Sequence, residues 1–264
     1  MSGKRWLRVS VAAALLLPGG QVAPALAQER LPSVRVAGKT PCEVHPETAA
    51  ETAELWVAAR DALEGTASRT GAKPEFLIQE WRRTLDRSFR MRSERRDTAS
   101  VATLHPFEKP PPGNLERAGY IQQRGWTTVF YGPDPGLLLS ESFLRRHCFR
   151  RIPGEGANAG LAGLAFAPLP ASEQTDVAGV LWVDPARGEL RHLEYRWTNP
   201  PPEARAPGVG GRADFVRLPS GGWIIQRWNI RMPRAVEGLS GAFDGYTDQG
   251  GEVLALALSA GRRR

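Results

Sequence analysis

The stretch "GVLWVDPARGELRHLEYRWT", residues 179–198, decides the fold. Its first half is an apolar run, and its second half places Leu193, Tyr195 and Trp197 at every second position. Because successive side chains of a β-strand point to opposite faces, this spacing gives the second half one apolar face. The residues between the halves, "DPARG" at 184–188, are typical of a turn. The stretch therefore predicts a β-hairpin with a buried face.

Further predicted strands surround this hairpin. They are separated by short turns without helical crossovers, which favours an antiparallel arrangement. "DGYTDQGGE" at 244–252 predicts a turn instead, and its acidic residues only partly match a calcium loop. We expect a mainly β (α+β) fold, a curved antiparallel meander or half-barrel. The predicted strands are two segments on either side of 86–88, and 126–131, 161–169, 177–184, 189–198, 212–218, 222–232 and 251–258.

One amphipathic helix precedes the strands. In residues 45–66 the side chains of Leu55, Trp56 and Leu63 recur at helical spacing on one face, and Gly65 is a typical helix end. A second, short helix is predicted within 134–148, beginning at Asp134 or Ser140. The apolar face of the first helix must lie on another apolar surface, so we expect it to cover the sheet.

The N-terminus has the pattern of a cleaved export signal. Lys4, Arg5 and Arg8 precede an apolar stretch at 9–17, and Ala-Leu-Ala follows at 25–27. The apolar stretch is shorter than the roughly 20 residues that span a bilayer. We therefore predict a signal peptide at 1–27, an N-terminal extension at 28–44 and a single β-rich domain at 45–264. The expected location is the periplasm or the exterior, and an integral membrane protein is not expected.

The charge of the chain excludes one class of partner. The 264 residues have a formal net charge of +7, and loss of the three positive charges of the signal would leave +4. This modest excess does not indicate nucleic-acid binding. Arginines nevertheless concentrate around 82–96, where they form either a solvated, edge-protecting strand pair or a surface that contacts an anionic envelope or an acidic partner. The predicted basic surface comprises Arg83, Arg87, Arg90, Arg92 and Arg95.

The residues that could carry chemistry are scattered. The four histidines form neither an H-x-x-x-H nor an HExxH pair, so we expect no metal and no cofactor. No G-x-S-x-G motif is present. Alternation along the strand places Glu194 opposite Leu193 and Tyr195, which predicts a solvated strand face rather than an acid–base pair. An enzyme is therefore not expected.

The two cysteines favour a disulfide. In an exported chain, Cys42 and Cys148 are expected to pair, which would tie the start of the first helix to the middle of the sheet. The alternative is an exposed free Cys42 and a buried free Cys148. Geometry and thiol counting distinguish the two.

Several motifs in the chain resemble a known group of proteins. "LWVAARDAL", "YGPDPGLLLSESFLRRHCF", "DVAGVLWVDPARGELRHLEYRW" and "GGRADFVRLPSGGWIIQRWNIRMP" occur in this order in exported bacterial proteins of unassigned activity. These are labelled carboxypeptidase regulatory-like domain-containing proteins, and the resemblance covers about residues 42–234. The group typically carries an N-terminal β-sandwich, so this chain resembles its C-terminal portion. The label implies no peptidase activity here.

A second resemblance, at the level of shape, is to periplasmic lipoprotein-carrier proteins, in which a curved half-barrel with a helix across its mouth holds acyl chains. It implies a non-enzymatic binding or carrier module for an apolar or amphipathic envelope ligand, such as a lipid. The alternative is an envelope scaffold with a filled core that acts through a protein partner. A cavity of several hundred Å³ under the helix would favour the carrier. The expected ligand-contacting residues are Leu193, Tyr195, Trp197, Trp228, Ile230, Leu55, Trp56 and Leu63.

Overall fold

A computed structural model describes most of the chain after residue 45. The described residues are 46–64, 73–102, 110, 113–125, 127–138, 140–169, 174–218, 221–235 and 243–259. All of them belong to one compact unit. The predicted export signal and N-terminal extension lie outside the described residues.

Nine antiparallel strands form one open, curved sheet, as the sequence predicts. Its strands are β1 (Lys73–Leu85), β2 (Met91–Val101), β5 (His147–Pro153), β6 (Ala162–Pro168), β7 (Asp176–Asp184), β8 (Glu189–Thr198), β9 (Gly210–Arg217), β10 (Trp223–Ala235) and β11 (Phe243–Ser259). Strands β5 to β11 follow one another as a meander, and the β1–β2 hairpin is added beside β11. A separate small hairpin consists of β3 (Ile121–Arg124) and β4 (Thr127–Phe130).

The hairpin predicted at 179–198 is β7 and β8. Leu181 lies opposite Leu193, and Val177 lies opposite Trp197, so the apolar side chains of both strands share one face. The turn between the strands is held by Asp184, whose carboxylate accepts the backbone N–H groups of Ala186 and Arg187. The alternation and the turn residues were thus sufficient to predict this element.

The predicted helix is α1 (Pro46–Glu64), and it covers the apolar face of β5 to β8. Its buried residues Leu55 and Ala59 belong to the main hydrophobic core. The side chains of Glu51 and Thr52 fix it to the sheet edge, because Arg151 donates its backbone N–H to Thr52 Oγ1 at 3.1 Å and pairs with Glu51 at 2.7 Å. Within the described ranges, no helix is long and apolar enough to cross a bilayer.

A second covering layer lies on the same face of the sheet. It contains the β3–β4 hairpin and three short helices, α2 (Asn114–Ala118), α3 (Pro135–Leu138) and α4 (Glu141–Arg146). The backbone oxygen of Tyr131, a fully buried residue in this layer, accepts the indole N–H of Trp197 at 2.9 Å. Phe143 of α4 packs edge-on against Phe166 of β6. The short helix predicted at 134–148 is therefore two helices, α3 and α4, one at each predicted start.

The opposite face of the sheet is not the solvated surface that the sequence predicts at Glu194. That residue does lie opposite Leu193 and Tyr195, but it is buried, and its carboxylate is 2.6 Å from Arg212 Nη1. A similar pair joins Arg231 of β10 to the buried Asp248 of β11 at 2.9 Å. Burial of a carboxylate is costly unless it is paired, and these arginines supply the pairing.

The prediction of a turn at 244–252 is wrong, because these residues lie within β11. The strand pairs with β1 on one side and β10 on the other. Gly250 and Gly251 suggest a turn in the sequence, but each lies beside a tryptophan: Trp81 beside Gly250 and Trp228 beside Gly251. Glycine leaves the space that the indole rings occupy, so the strand is stabilised by residues that are distant in sequence.

Candidate functional site

A cavity lies among the short helices of the second covering layer. It has a volume of about 400 Å³, and we call it the α2–α4 cavity. Leu115, Tyr120, Leu137 and Phe143 form much of its apolar wall. Its polar lining comprises Glu116, Asp134, Ser140, Ser142, Arg146, His147 and Asp176.

Two polar caps shape the wall made by α3 and α4. The carboxylate of Asp134 accepts the backbone N–H of Leu137 at 3.0 Å, which begins α3. The hydroxyl of Ser140 accepts the backbone N–H of Phe143 at 3.2 Å and donates to the carbonyl of Leu137 at 2.7 Å. Such caps satisfy backbone groups that a helix end leaves without partners. They fix the short helices that carry Phe143 and Arg146.

His147 and Asp176 form a buried pair at the cavity wall. His147 Nε2 is 3.1 Å from Asp176 Oδ1 and 3.2 Å from the carbonyl oxygen of Val177. His147 Nδ1 is 3.0 Å from the carbonyl oxygen of Phe143, one helical turn earlier. Each ring nitrogen thus faces an acceptor oxygen.

Tyr120 contributes a buried phenol to the same wall. Burial raises the pKa of Tyr120 well above its usual value, and the nearby carboxylate of Asp176 raises it further. Arg146 opposes the shift without cancelling it. Tyr120 therefore remains a neutral phenol across the physiological pH range.

The cavity does not contain the arrangement of a serine hydrolase. Such an enzyme needs an imidazole nitrogen that can accept the proton of the serine. Both nitrogens of His147 are already directed at acceptors, and the hydroxyl of Ser140 is used to cap α4. Among the described residues, no group of three or more His, Cys, Asp or Glu side chains could hold a metal ion.

The residues predicted to contact a ligand lie instead in the packed core. Leu193 is 1% exposed, and the others that the structure describes are buried with it or, in the case of Trp56, partly buried against it. The space next to Trp56 beneath α1 is about 20 Å³, room for about one water molecule. The predicted set Leu193, Tyr195, Trp197, Trp228, Ile230 and Leu55 is thus brought together as one cluster. The side chain of Leu63 lies outside the described residues.

The predicted basic surface lies on the β1–β2 hairpin, and most of its arginines have a partner. Arg83 is 3.0 Å from Glu94, Arg92 is 3.1 Å from Asp86, and Arg95 is 2.8 Å from Asp97. Arg87 donates to the carbonyl oxygen of Phe243 at 2.6 Å, and Arg90 is exposed. The edge strand β2 is exposed along almost its whole length. These pairs fit a solvated, charged edge that protects the sheet.

Cys148 lies half-buried on β5, with its sulfur 3.5 Å from the carbonyl oxygen of Ala167. The described part of the chain contains no free cysteine. Cys42 lies outside the described residues, so its pairing with Cys148 stays a prediction.

Part of the α2–α4 cavity can be recognised from a local pattern in the sequence. The spacing of Phe143 and His147 places them on one helical face, and their rings do stack with centroids 3.7 Å apart. Asp176, in contrast, lies on β7, and β6 separates this strand from β5, which carries His147. No local pattern brings the two together, because their contact depends on the sheet.

Comparisons with known proteins provide little beyond this geometry. No family model matches the chain, and no curated protein matches it. Among solved structures, a crystal structure of a DUF1329 family protein from Desulfovibrio piger is similar to it with a TM-score of 0.32 and 8% sequence identity. The match covers 78% of this chain and 94% of that chain. A likeness at this level assigns neither a family nor a function, and the resemblance to carboxypeptidase regulatory-like proteins stays a prediction.

Proposed function

We propose that this protein is an exported, non-enzymatic binding module that holds an amphipathic ligand in the α2–α4 cavity. The observation that carries the proposal is the cavity itself, of about 400 Å³. Ligand sites in proteins commonly measure about 300–1,000 Å³ and combine apolar walls with a few convergent polar groups. The α2–α4 cavity has both properties.

The lining supports an amphipathic ligand more than a fully apolar one. Leu115, Leu137 and Phe143 offer an aliphatic and aromatic surface to an apolar tail. Arg146, His147 and Asp176 offer hydrogen-bonding groups to a polar head. An apolar ligand alone would remove these polar groups from water without replacing their hydrogen bonds, which costs free energy.

The geometry also supports a binding role over a catalytic one. Nucleophilic catalysis would need a base beside the hydroxyl of Ser140 or Ser142. Ser142 is 3.2 Å from Ser140, and both ring nitrogens of His147 are engaged with other acceptors. The polar groups of the cavity are therefore arranged to hold one another and a ligand in place.

The second candidate is an envelope scaffold that acts through a protein partner. One observation favours it: the pocket beneath α1, where the sequence predicts the ligand site, has a volume of only about 20 Å³. A scaffold would use the outer surface of the sheet and would carry no ligand in the α2–α4 cavity.

Native mass spectrometry of gently purified protein, followed by titration of the stripped protein with decanoate, tests the proposal. Leu137→Trp should fill the cavity and lower decanoate affinity at least tenfold, since a filled site excludes the tail. Leu77→Trp is the matched control, because Leu77 is 40% exposed and belongs to β1. Equal affinity of the wild-type protein and Leu137→Trp would contradict the cavity as the site. No binding of any amphipathic compound would favour the scaffold.

A further inference from the structure

Arg146 lines the α2–α4 cavity beside the buried pair of His147 and Asp176. It is the last residue of α4, its side chain is 35% exposed, and it lines the cavity. Its Nη1 donates to the carbonyl oxygen of Glu116 at 3.1 Å. Its Nη2 is 3.9 Å from Asp176 Oδ2, which is an ion-pair distance but too long for a hydrogen bond.

Asp176 Oδ1 has partners other than Arg146. It accepts the backbone N–H of Val177 at 2.8 Å and lies 3.1 Å from His147 Nε2. Asp176 Oδ2 lies 3.9 Å from Arg146 Nη2. A guanidinium has five N–H groups. Among the described residues Arg146 makes one hydrogen bond, and its side chain lines the α2–α4 cavity.

The other acidic residues of the lining lie closer to solvent. Glu116 is exposed, and Asp134 is only partly buried, with its Oδ1 accepting the N–H of Leu137. Asp176, in contrast, is buried, and it lies 3.9 Å from Arg146 Nη2 and 3.1 Å from His147 Nε2. An anionic group beside Arg146 would meet guanidinium N–H groups that make no hydrogen bond to a described residue, while the carboxylates of Glu116 and Asp134 are more exposed and are screened by water.

We infer that the ligand is an amphipathic anion whose carboxylate or phosphate monoester head accepts hydrogen bonds from Arg146 and whose aliphatic tail lies against Leu115, Leu137 and Phe143. This inference rests on the proposed binding function and adds the charge of the head group. Carboxylates and phosphates both match the planar donor array of a guanidinium.

Four probes with the same tail test the head group: decanoate, decyl phosphate, decanol and decyltrimethylammonium. Calorimetric titration of the full mature protein should show that the two anions bind at least about tenfold more tightly than decanol, since a charge-assisted hydrogen bond is lost in the alcohol. The ammonium compound should bind most weakly. Higher affinity for decanoate than for decyl phosphate, or the reverse, distinguishes the two head groups.

Variants at neighbouring arginines separate a specific role from general charge. Arg146→Gln should weaken decanoate binding about tenfold and decanol binding much less, because the alcohol carries no charge, and Arg146→Lys should restore part of the affinity for decanoate. Arg145→Gln is the matched control, because Arg145 lies on the same helix with a side chain 70% exposed and pairs with Glu141. Circular dichroism of each variant checks the fold.

Two results would overturn the inference. Equal affinity for decanoate, decanol and the ammonium compound, with all three excluded by Leu137→Trp, would leave the binding function standing and remove the anionic head. Tighter binding of the ammonium compound would assign the head-group preference to the carboxylates instead. If none of the four probes binds, the proposed function fails together with this inference.

Discussion

The indole ring of Trp228 on β10 lies directly over Gly251, its partner residue on β11. A Cβ atom at Gly251 would collide with the six-membered ring of this indole. On the other face, Trp81 of β1 occupies the space over Gly250 in the same way. Two consecutive glycines thus accept one tryptophan on each face, where a longer side chain would separate the strands.

We expect Gly251→Ala to destabilise the protein by about 1–3 kcal/mol, the usual cost of overpacking a core. Trp228→Ala should cost about 3–5 kcal/mol, because it empties a large buried site. In the double variant the alanine no longer meets a ring, so the two losses should not add. Urea unfolding measures all three. Additive losses would show that Trp228 and Gly251 do not restrict each other.

A pH dependence of stability is expected from the β1–β2 turn. The carboxylate of Asp86 accepts the backbone N–H of Arg90 and that of Ser88, and it lies beside Arg92. Mainly because of the bond from Arg90, and despite some desolvation, the pKa of Asp86 lies below its usual value of 3.8. A lowered pKa in the folded state stabilises the protein above the pKa of the unfolded chain, and this contribution is lost as the pH falls through the folded value.

The stability of Asp86→Asn should therefore be lower than that of the wild-type protein at neutral pH, and the difference should shrink as the pH falls below 3.8. Denaturant unfolding at a series of pH values measures this. The free energy of unfolding of Asp184→Asn, at the β7–β8 turn, should show the same pH dependence relative to the wild-type protein, because the side chain of Arg187 lowers the pKa of Asp184. Parallel pH profiles of the wild-type protein and Asp86→Asn would contradict the assignment.

The elements that were predictable from sequence are those whose pattern is local. The β7–β8 hairpin is predicted by the alternation of apolar residues along β8 and by the turn residues at 184–188. The helix α1 is predicted by the helical spacing of Leu55, Trp56 and Leu63 in the sequence. The middle of β11 was not predictable, because Gly250 and Gly251 gain their role only from Trp81 and Trp228 on neighbouring strands. Two consecutive glycines in a sequence are compatible both with a turn and with a strand that packs against indole rings.

The candidate site was predicted only in part for the same reason. The apolar face of β8 is as predicted, and it packs in one hydrophobic cluster with Leu115, Tyr131 and Phe143 of the second covering layer. Nothing in the spacing of Leu193, Tyr195 and Trp197 distinguishes a face covered by protein from one covered by a ligand. His147 lies on β5 and Asp176 on β7, so their contact depends on how these strands are arranged in the sheet. A single sequence does not reveal this arrangement.

The arginines of the β1–β2 hairpin lead to a prediction about membranes. Because Arg83, Arg92 and Arg95 each pair with a carboxylate, we expect little sedimentation with anionic phospholipid vesicles at about 0.1 M salt, where charges are screened beyond about 10 Å. Binding at low salt should be weak and should fall steeply as salt is added. Strong binding that is lost in Arg90→Glu but retained in Arg145→Glu would show instead that the hairpin contacts membranes.

The last prediction concerns the two cysteines. Cys148 and Arg151 lie on β5, and Arg151 contacts Glu51 and Thr52 of α1. Three strand residues span about 10 Å. Cys42 precedes α1 by a few residues, each able to extend about 3.3–3.6 Å, and the two cysteines of a chain are expected to pair if it is exported. We therefore expect thiol counting on unfolded, unreduced protein to find no free thiol.

Reduction should then destabilise the protein, with an upper limit of about 4–5 kcal/mol for a loop of roughly a hundred residues. Cys42→Ser provides the control, because a reductant should not lower its stability further, and its free energy of unfolding should match that of the reduced wild-type protein. Two reactive thiols in the unreduced wild-type chain would refute the disulfide. The attachment of α1 to β5 would then rest on the contacts of Arg151 with Glu51 and Thr52.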